Sequence, residues 1–312
     1  MPKVSVIMNC YNSDRFLKEA IDSIYAQTYE NWEIVFWDNR STDDSAAIAK
    51  SYDDRLRYFL ADEFLPLYAA RNKALEKARG EYIAFLDCDD EWLPEKLERQ
   101  MKIFEEHSQI GFIYSNYYVV NRRRKAKKLY HRDIQPEGKI LKSQCASYSI
   151  GLLTVIFRAS LLNDVDEWFD ISFKISGDLE LFLRLLMLTD AYYIAEPLAS
   201  YRIHGNNESL LHKEVIFGEY RYTASKFSSL YDSDNLDVRD AVNELAKAAD
   251  IREAKLCLIS GHASDAARLL KEHKNFNKDT KIMYYCSRLP GILSKVTYKI
   301  LRKAYKVIFS IP

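Results

Sequence analysis

The sequence predicts an α/β fold: a mixed, mostly parallel sheet flanked by helices, followed by a helical extension. Three observations lead there. The first 120 residues alternate short apolar runs with segments of helical length, and from Lys213 onward the pattern is almost wholly helical. The 312 residues are 48% hydrophobic and 29% charged, a globular composition on a chain long enough for two domains.

Lys3–Met8, Trp32–Trp37, Leu56–Leu60 and Tyr82–Leu86 are too short for helices and rich in β-branched or aromatic residues, so they read as strands. Between them Ser13–Gln27, Ser41–Tyr52 and Leu67–Arg79 have the length of three or more turns, with Ser13 and Ser41 as N-caps. Such alternation builds a parallel sheet covered on both faces. Ligands of such sheets sit beyond the carboxyl ends of the strands. The residues there are Asn9, Tyr11 and Asn12, then Asp38 and Asn39, then Asp87, Asp89 and Asp90. Further on come a strand at Gly111–Val120, an apolar run Ile150–Phe157, a helix near Leu179–Leu188 and a short strand Ala199–Ile203. Asp237–Ser260, a stop at Gly261 and Ser264–His273 read as a helix hairpin. The expected division is residues 1–210 and 211–312, the latter ending in a basic amphipathic tail from about 288 to 312.

Formal charge is zero, which argues against a nucleic-acid binder. The charge is unevenly spread, because Lys271 to Pro312 carries ten Lys/Arg against two acids. The five cysteines, Cys10, Cys88, Cys145, Cys257 and Cys286, never fall in C-x-x-C spacing, so neither a disulfide framework nor a zinc knuckle is indicated. With no leader pattern and no apolar run of about 20 residues, the expected location is cytoplasmic.

The most informative segment is GEYIAFLDCDDEWLP, Gly80–Pro94, where an apolar strand ends in three carboxylates within four residues. Such crowding calls for a compensating cation, and hard oxygen ligands suit magnesium or manganese with substrate phosphates completing the shell. Taken with VSVIMNCYN, QTYENWEIVFWDNRSTDDS and RNKALEKARGEYIAFLDCDD in that order, the chain resembles the family 2 glycosyltransferases, which have the GT-A fold. The spacing matches over residues 1–95 and more loosely to about residue 210.

The resemblance implies a nucleotide-sugar site. Asp38 would pair with the nucleobase edge, Asn9 and Tyr11 would line the base, Arg71 would reach the nucleotide, Asp87 would contact the ribose and Asp89 would hold Mn2+ or Mg2+, with Asp90 beside them. The segment Ser176–Arg184 is similar to the family's acid-led helix, which makes Asp178 the catalytic base and Glu180 the reserve candidate. Tyr201-Arg202-Ile203-His204 resembles the family's Y-R-x-H element, so His204 would join the metal or diphosphate and Arg202 would contact phosphate. Two positions depart from the family pattern. Asn39-Arg40 replaces an acid and a glycine, so Arg40 is strained if that glycine sat at positive φ, or else supplies a donor contact of its own. Gly177 stands where a second acid usually precedes the catalytic one.

Two basic segments complete the reading. Arg122–Lys128 holds six cations in seven residues and reads as a solvated loop or an anion-binding surface. In the tail, Lys295, Lys299, Arg302 and Lys306 share one helical face, with Leu293, Val296, Ile300, Ala304, Val307 and Ile308 opposite. That pattern suits an interfacial helix on an anionic membrane, the alternative being docking on the protein itself. The implied activity is an inverting, metal-dependent transfer of a hexose or N-acetylhexosamine from a nucleotide sugar, UDP-linked by preference, to a hydroxyl of a lipid-linked glycan acceptor in cell-surface polysaccharide assembly. The rival readings are a catalytically silent scaffold and a sugar nucleotidyltransferase, the latter lacking its glycine-rich opening loop after Met8.

Overall fold

The computed structural model describes residues 2–121, 126–231, 236–290 and 293–299. Arg122–Lys125, Arg302 and Lys306 lie outside the described residues. Packing divides the chain into two units: residues 1–144 with 148–211, and residues 145–147 with 212–312.

The first unit opens with β1 (Val4–Cys10), α1 (Asp14–Tyr25), β2 (Trp32–Asp38), α2 (Ser45–Lys50), β3 (Leu56–Leu60), α3 (Leu67–Leu75) and β4 (Tyr82–Phe85). There follow β5 (Glu91–Trp92), α4 (Lys96–Glu106), β6 (Ile110–Asn121), β7 (Ala126–Leu129), α5 (Leu141–Ala146), β8 (Ile156–Arg158), α6 (Gly177–Leu188), β9 (Asp190–Arg202) and α7 (Glu208–Leu211). Among the described residues they form one sheet in the order β3-β2-β1-β4-β8-β6-β9-β5, with β7 on β6. The β3 to β4 half is parallel; β8 runs antiparallel to both β4 and β6, while β9 is parallel to β6.

The central strands β1, β2 and β4 are almost wholly buried because both faces are covered. Val4, Val6 and Met8 of β1 meet Leu17, Ala20, Ile21 and Ile24 of α1 in one core. Ile7, Val35 and Phe85 point the other way, into a second core with Ala70 and Ala74 of α3 and Leu181, Phe182 and Leu185 of α6. Leu17, Ile21 and Ile24 are fully buried and contribute roughly 1.5–3 kcal/mol each.

Two expectations are corrected. Ser41 caps no helix: α2 starts at Ser45 behind Asp44, and the Ser41 amide is held by Asp38 Oδ1 at 2.7 Å. The short strand Ala199–Ile203 is the end of the thirteen-residue β9, whose first part is disguised by Pro197 and register shifts opposite Ser115 and Asn116.

The second unit holds α8 (Lys213–Leu230), α9 (Leu236–Ser260), α10 (Ala263–Leu270) and α11 (Lys278–Ser287). Gly261, at φ +94°, ends α9 in the left-handed conformation that favours glycine, its amide and that of His262 both reaching the Cys257 carbonyl. Asn277 and Thr280 close a capping box on α11. Residues 293–299 are helical. Tyr298 packs into a core with Ala254, Leu258, Ala266, Leu270 and Met283, and Ser294 is buried, whereas Leu293, Val296 and Lys299 are exposed. The described part of the tail therefore docks by one stripe and leaves another uncovered.

Candidate active site

The carboxyl ends of β1 and β4, the start of α6 and the turn after β9 surround a cavity of about 680 Å³. Asn9, Tyr11, Arg71, Asp87, Asp89, Asp90, Asp178 and His204 line it together. Asp38, Arg40, Glu180 and Arg202 do not.

At one end Tyr11 is half exposed and meets Phe64 edge-on, ring centroids 4.8 Å apart, offering an apolar face. Asn9 accepts a hydrogen bond from the Cys88 thiol on its carbonyl, while its buried Nδ2 has no protein partner among the described residues. An orphaned buried donor on a cavity wall is expensive unless a ligand satisfies it.

Asp38 lies beneath this end, fully buried. Its Oδ1 accepts from the Ser41 amide at 2.7 Å and its Oδ2 from the Tyr58 hydroxyl at 2.6 Å. The carboxylate folds the loop, and a base would meet only lone pairs left on oxygens already engaged. Arg40 has φ +69°, the strained geometry that the family glycine would relieve, at a cost of about 1–2 kcal/mol. Its guanidinium donates to the Asp62 carbonyl at 3.2 Å, so its donor contact goes to the loop and not to the cavity.

Across the cavity Arg71, nearly buried, donates to Asp87 Oδ1 at 2.8 Å. Its guanidinium lies over Tyr68 and Phe169, 5.4 and 5.8 Å from the ring centroids. Asp89 Oδ2 is 2.7 Å from His204 Nε2. The Asn206 amide donates to His204 Nδ1 at 3.2 Å, which assigns the neutral ring's proton to Nε2, facing Asp89. Burial and the Asp87 charge push the Asp89 carboxyl up, while His204 pulls it back. Asp90 is almost fully buried, and its Oδ1 accepts from the Arg202 amide at 2.9 Å. Burial first, then Asp89 and Asp87, raise the Asp90 carboxyl well above the usual range. It ties the acidic turn to β9.

Arg202, expected to contact phosphate, does not line the cavity. Strand alternation turns it away from the face that Tyr201 presents to the cavity. It pairs instead with Glu19 at 2.7 Å and Glu91 at 2.5 Å, and stacks over Phe16 at 4.3 Å.

On α6, Asp178 sits in the first turn. Burial raises its carboxyl to about 6, Arg71 drawing it down and Asp87 adding to the rise. Gly177 has a steric reason to replace an acid: a Cβ there would lie 2.8 Å from the buried Tyr68 ring. Glu180, the reserve candidate, does not line the cavity. Two residues along a helix is about 200° of rotation, which turns Glu180 into the core, fully buried and gripped by Arg184 through Nε–Oε1 and Nη2–Oε2 bonds of 2.8 Å. Arg184 also donates to the Glu167 and Trp168 carbonyls.

Among the described residues no group of three or more His, Cys, Asp or Glu side chains is gathered to hold a metal. Asp89 with His204 supplies at most a partial shell, which fits a cation such as Mg2+ or Mn2+ that takes its remaining ligands from phosphates and water. His204 would ligate through Nε2 only after its proton moved, so Asp89 is the better-placed ligand. The cavity is also lined by Tyr117, Tyr201, Lys174 and Gly151–Leu153, to which sequence reasoning gave no role. Tyr201 was legible beside Arg202; the others come from segments with no motif.

The model of the Glycosyl transferase family 2 matches residues 5–162. The UDP-Glc:alpha-D-GlcNAc-diphosphoundecaprenol beta-1,3-glucosyltransferase WfgD of Escherichia coli is 33% identical over 227 residues, 72% of this chain and 79% of that protein. The putative teichuronic acid biosynthesis glycosyltransferase TuaG of Bacillus subtilis is 32% identical, over 67% of this chain and 82% of the relative. Among solved structures, S. aureus TarS 1–349 in complex with UDP-GlcNAc superposes with a TM-score of 0.67 at 18% identity, covering 98% of this chain and 92% of that one. The mannosyltransferase PcManGT of Pyrobaculum calidifontis, in complex with GDP-Man and Mn2+, gives 0.58 at 17% identity, covering 100% and 88%. At that identity the two structures speak for the fold alone, which is of the GT-A type.

Proposed function

The chain belongs to glycosyl transferase family 2 and is a glycosyltransferase, and from that premise we propose that it is an inverting, metal-dependent enzyme moving a hexose or N-acetylhexosamine from a UDP-sugar to a hydroxyl of a lipid-linked glycan. The observation that carries the reading is the cavity with Arg71–Asp87 and His204–Asp89 on one side and the proton-hungry Asp178 on α6. The relatives' names support the donor and acceptor classes: WfgD takes UDP-Glc to a diphosphoundecaprenol-linked sugar, and TarS was solved with UDP-GlcNAc.

In this reading the base rests on Tyr11 and meets the unpaired Asn9 Nδ2. Asp87, held by Arg71, meets the ribose. Asp89, backed by His204, would hold a divalent ion, which when bound neutralises charge building on the leaving diphosphate. Asp178 accepts the proton of the acceptor hydroxyl as its oxygen attacks the anomeric carbon and the carbon–oxygen bond to the diphosphate breaks. A carboxyl titrating near 6 is ionised at neutral pH yet basic enough to help. The Tyr117, Tyr201 and Gly151–Leu153 wall receives the acceptor.

The tail would hold the enzyme at the cytoplasmic face of an anionic membrane. Exposed Leu289, Leu293 and Val296, with Lys295 and Lys299 nearby, supply the apolar and basic elements of an interfacial segment. Among the described residues no helix is long and apolar enough to cross a membrane. Because Tyr298 is structural, the test uses Leu293→Asp with Val296→Asp, which should abolish sedimentation with anionic liposomes while sparing nucleotide binding. Unchanged sedimentation would remove the membrane element.

The activity is tested by nucleoside diphosphate release from a panel of nucleotide sugars, with manganese and with chelator. Slow metal-dependent hydrolysis of a UDP-sugar is the expected result. Preference for a GDP-sugar would overturn the donor assignment, and activity undiminished by chelator would overturn the metal.

A further inference from the structure

Two of the five cysteines flank the donor site from adjacent strands. β1 and β4 pair in parallel as far as Ile7 opposite Phe85, and Cys10, the last residue of β1, and Cys88, in the turn after β4, each lie three residues beyond that pair. Neighbouring strands run about 4.8 Å apart, within the Cα separation of about 4.4–6.8 Å that a disulfide spans. The side chains share a neighbourhood: both belong to the same buried cluster, and Cys88 Sγ reaches the carbonyl of Asn9, the residue before Cys10, at 3.2 Å. Both are buried, but Cys88 lines the cavity. Cys88 stands between Asp87 and Asp89, and Cys10 between Asn9 and Tyr11. Any covalent change at the pair therefore acts on all four donor-site residues.

We propose that Cys10 and Cys88 form an oxidisable dithiol whose closure to a disulfide switches the donor site off. A small hydroperoxide entering the cavity is attacked by the Cys88 sulfur, giving a sulfenic acid and water (or the corresponding alcohol). The Cys10 sulfur then displaces the sulfenic oxygen as a second water and forms the S–S bond. Two thiols lose two electrons and two protons, and the peroxide O–O bond is reduced. Bringing the two sulfurs to about 2.05 Å draws the acidic turn toward β1 and takes Cys88 from the Asn9 carbonyl. A displacement of about 1 Å at a catalytic constellation costs about 100-fold in rate.

The consequence rests on the donor-site reading; the bond itself does not. The experiment treats the full chain with hydrogen peroxide, alkylates remaining thiols and maps peptides without reduction, then measures UDP-sugar hydrolysis and UDP binding before and after dithiothreitol. The expected result is a Cys10–Cys88 linked peptide with Cys145, Cys257 and Cys286 still alkylated. Turnover and UDP binding should fall about 100-fold, and dithiothreitol should restore both. Cys10→Ser should lose the link and the reversibility, each variant being compared with its own untreated activity. Separate alkylation of Cys10 and Cys88 after treatment would refute the bond. A linked pair with unchanged UDP binding would refute the switch. If no donor is hydrolysed at all, the activity reading fails while the peptide map and UDP binding still decide the switch.

Discussion

Asp178→Asn should make the protein more stable and inactive together. The Asp178 carboxyl is raised from its ordinary 3.8 to about 6, chiefly by burial. The folded state thus prefers the proton more than the unfolded chain does, so ionisation destabilises the fold by an amount that grows as pH rises past the unfolded value of 3.8 and levels off above about 6. A tenfold change in proton affinity is worth about 1.36 kcal/mol. The penalty is then up to about 3 kcal/mol at pH 7.5, about 1.5 at pH 5 and near zero at pH 3.8. Asparagine removes it while preserving shape. Urea unfolding of both proteins at pH 7.5 and pH 5 should show the variant more stable by up to about 3 kcal/mol at the higher pH and by roughly half as much at the lower. Donor hydrolysis should fall by about 100-fold or more. An equal stability difference at both pH values, or a variant less stable at pH 7.5, would show that Asp178 is not a strained carboxylate.

The same group sets the pH profile: transfer should fall with slope one as pH drops through about 6, and the profile of Asp178→Asn should be flat, which initial rates from pH 5 to 8 would check. Arg40→Gly relieves a φ of +69° and should stabilise by about 0.5–1 kcal/mol after the glycine's own entropy is deducted; a fall in the urea midpoint would contradict this. Gly177→Ala sets a methyl 2.8 Å from the Tyr68 ring, itself buried against Phe169. Overpacking of that kind costs about 1–3 kcal/mol, and a variant at wild-type stability would mean the helix start can move. His204→Ala should raise the metal concentration needed for half-maximal turnover without unfolding the chain, read by circular dichroism and a manganese titration; unchanged metal dependence would remove His204 from the account.

The strand-end side of the cavity was legible because parallel-sheet physics places polar residues at strand ends. Asn9, Tyr11, Asp87, Asp89 and Asp90 follow immediately from β1 and β4. Their partners were not. That Asp38 folds its loop through Ser41 and Tyr58, and that Arg202 turns to Glu19 and Glu91, depend on contacts between distant segments. Glu180 could have been set aside from helical periodicity, since it stands on the opposite face from Asp178. The Leu152–Thr154 turn and Tyr117 were opaque because their place at the cavity is fixed by tertiary packing, and β9 was truncated in the reading because Pro197 and its register shifts break the alternation that marks a strand. In the tail, the wheel set Leu293 and Val296 on the apolar face, yet both are exposed and the buried anchor is Tyr298.

Calorimetry of UDP-sugar binding with manganese, on wild type, Asp89→Asn and Asp178→Asn, tests the division of labour in the cavity most directly. The account predicts that Asp178→Asn binds the donor as tightly as wild type without turning it over, while Asp89→Asn loses the manganese-dependent part of binding. Loss of donor binding in Asp178→Asn, or full manganese-dependent binding in Asp89→Asn, would contradict it.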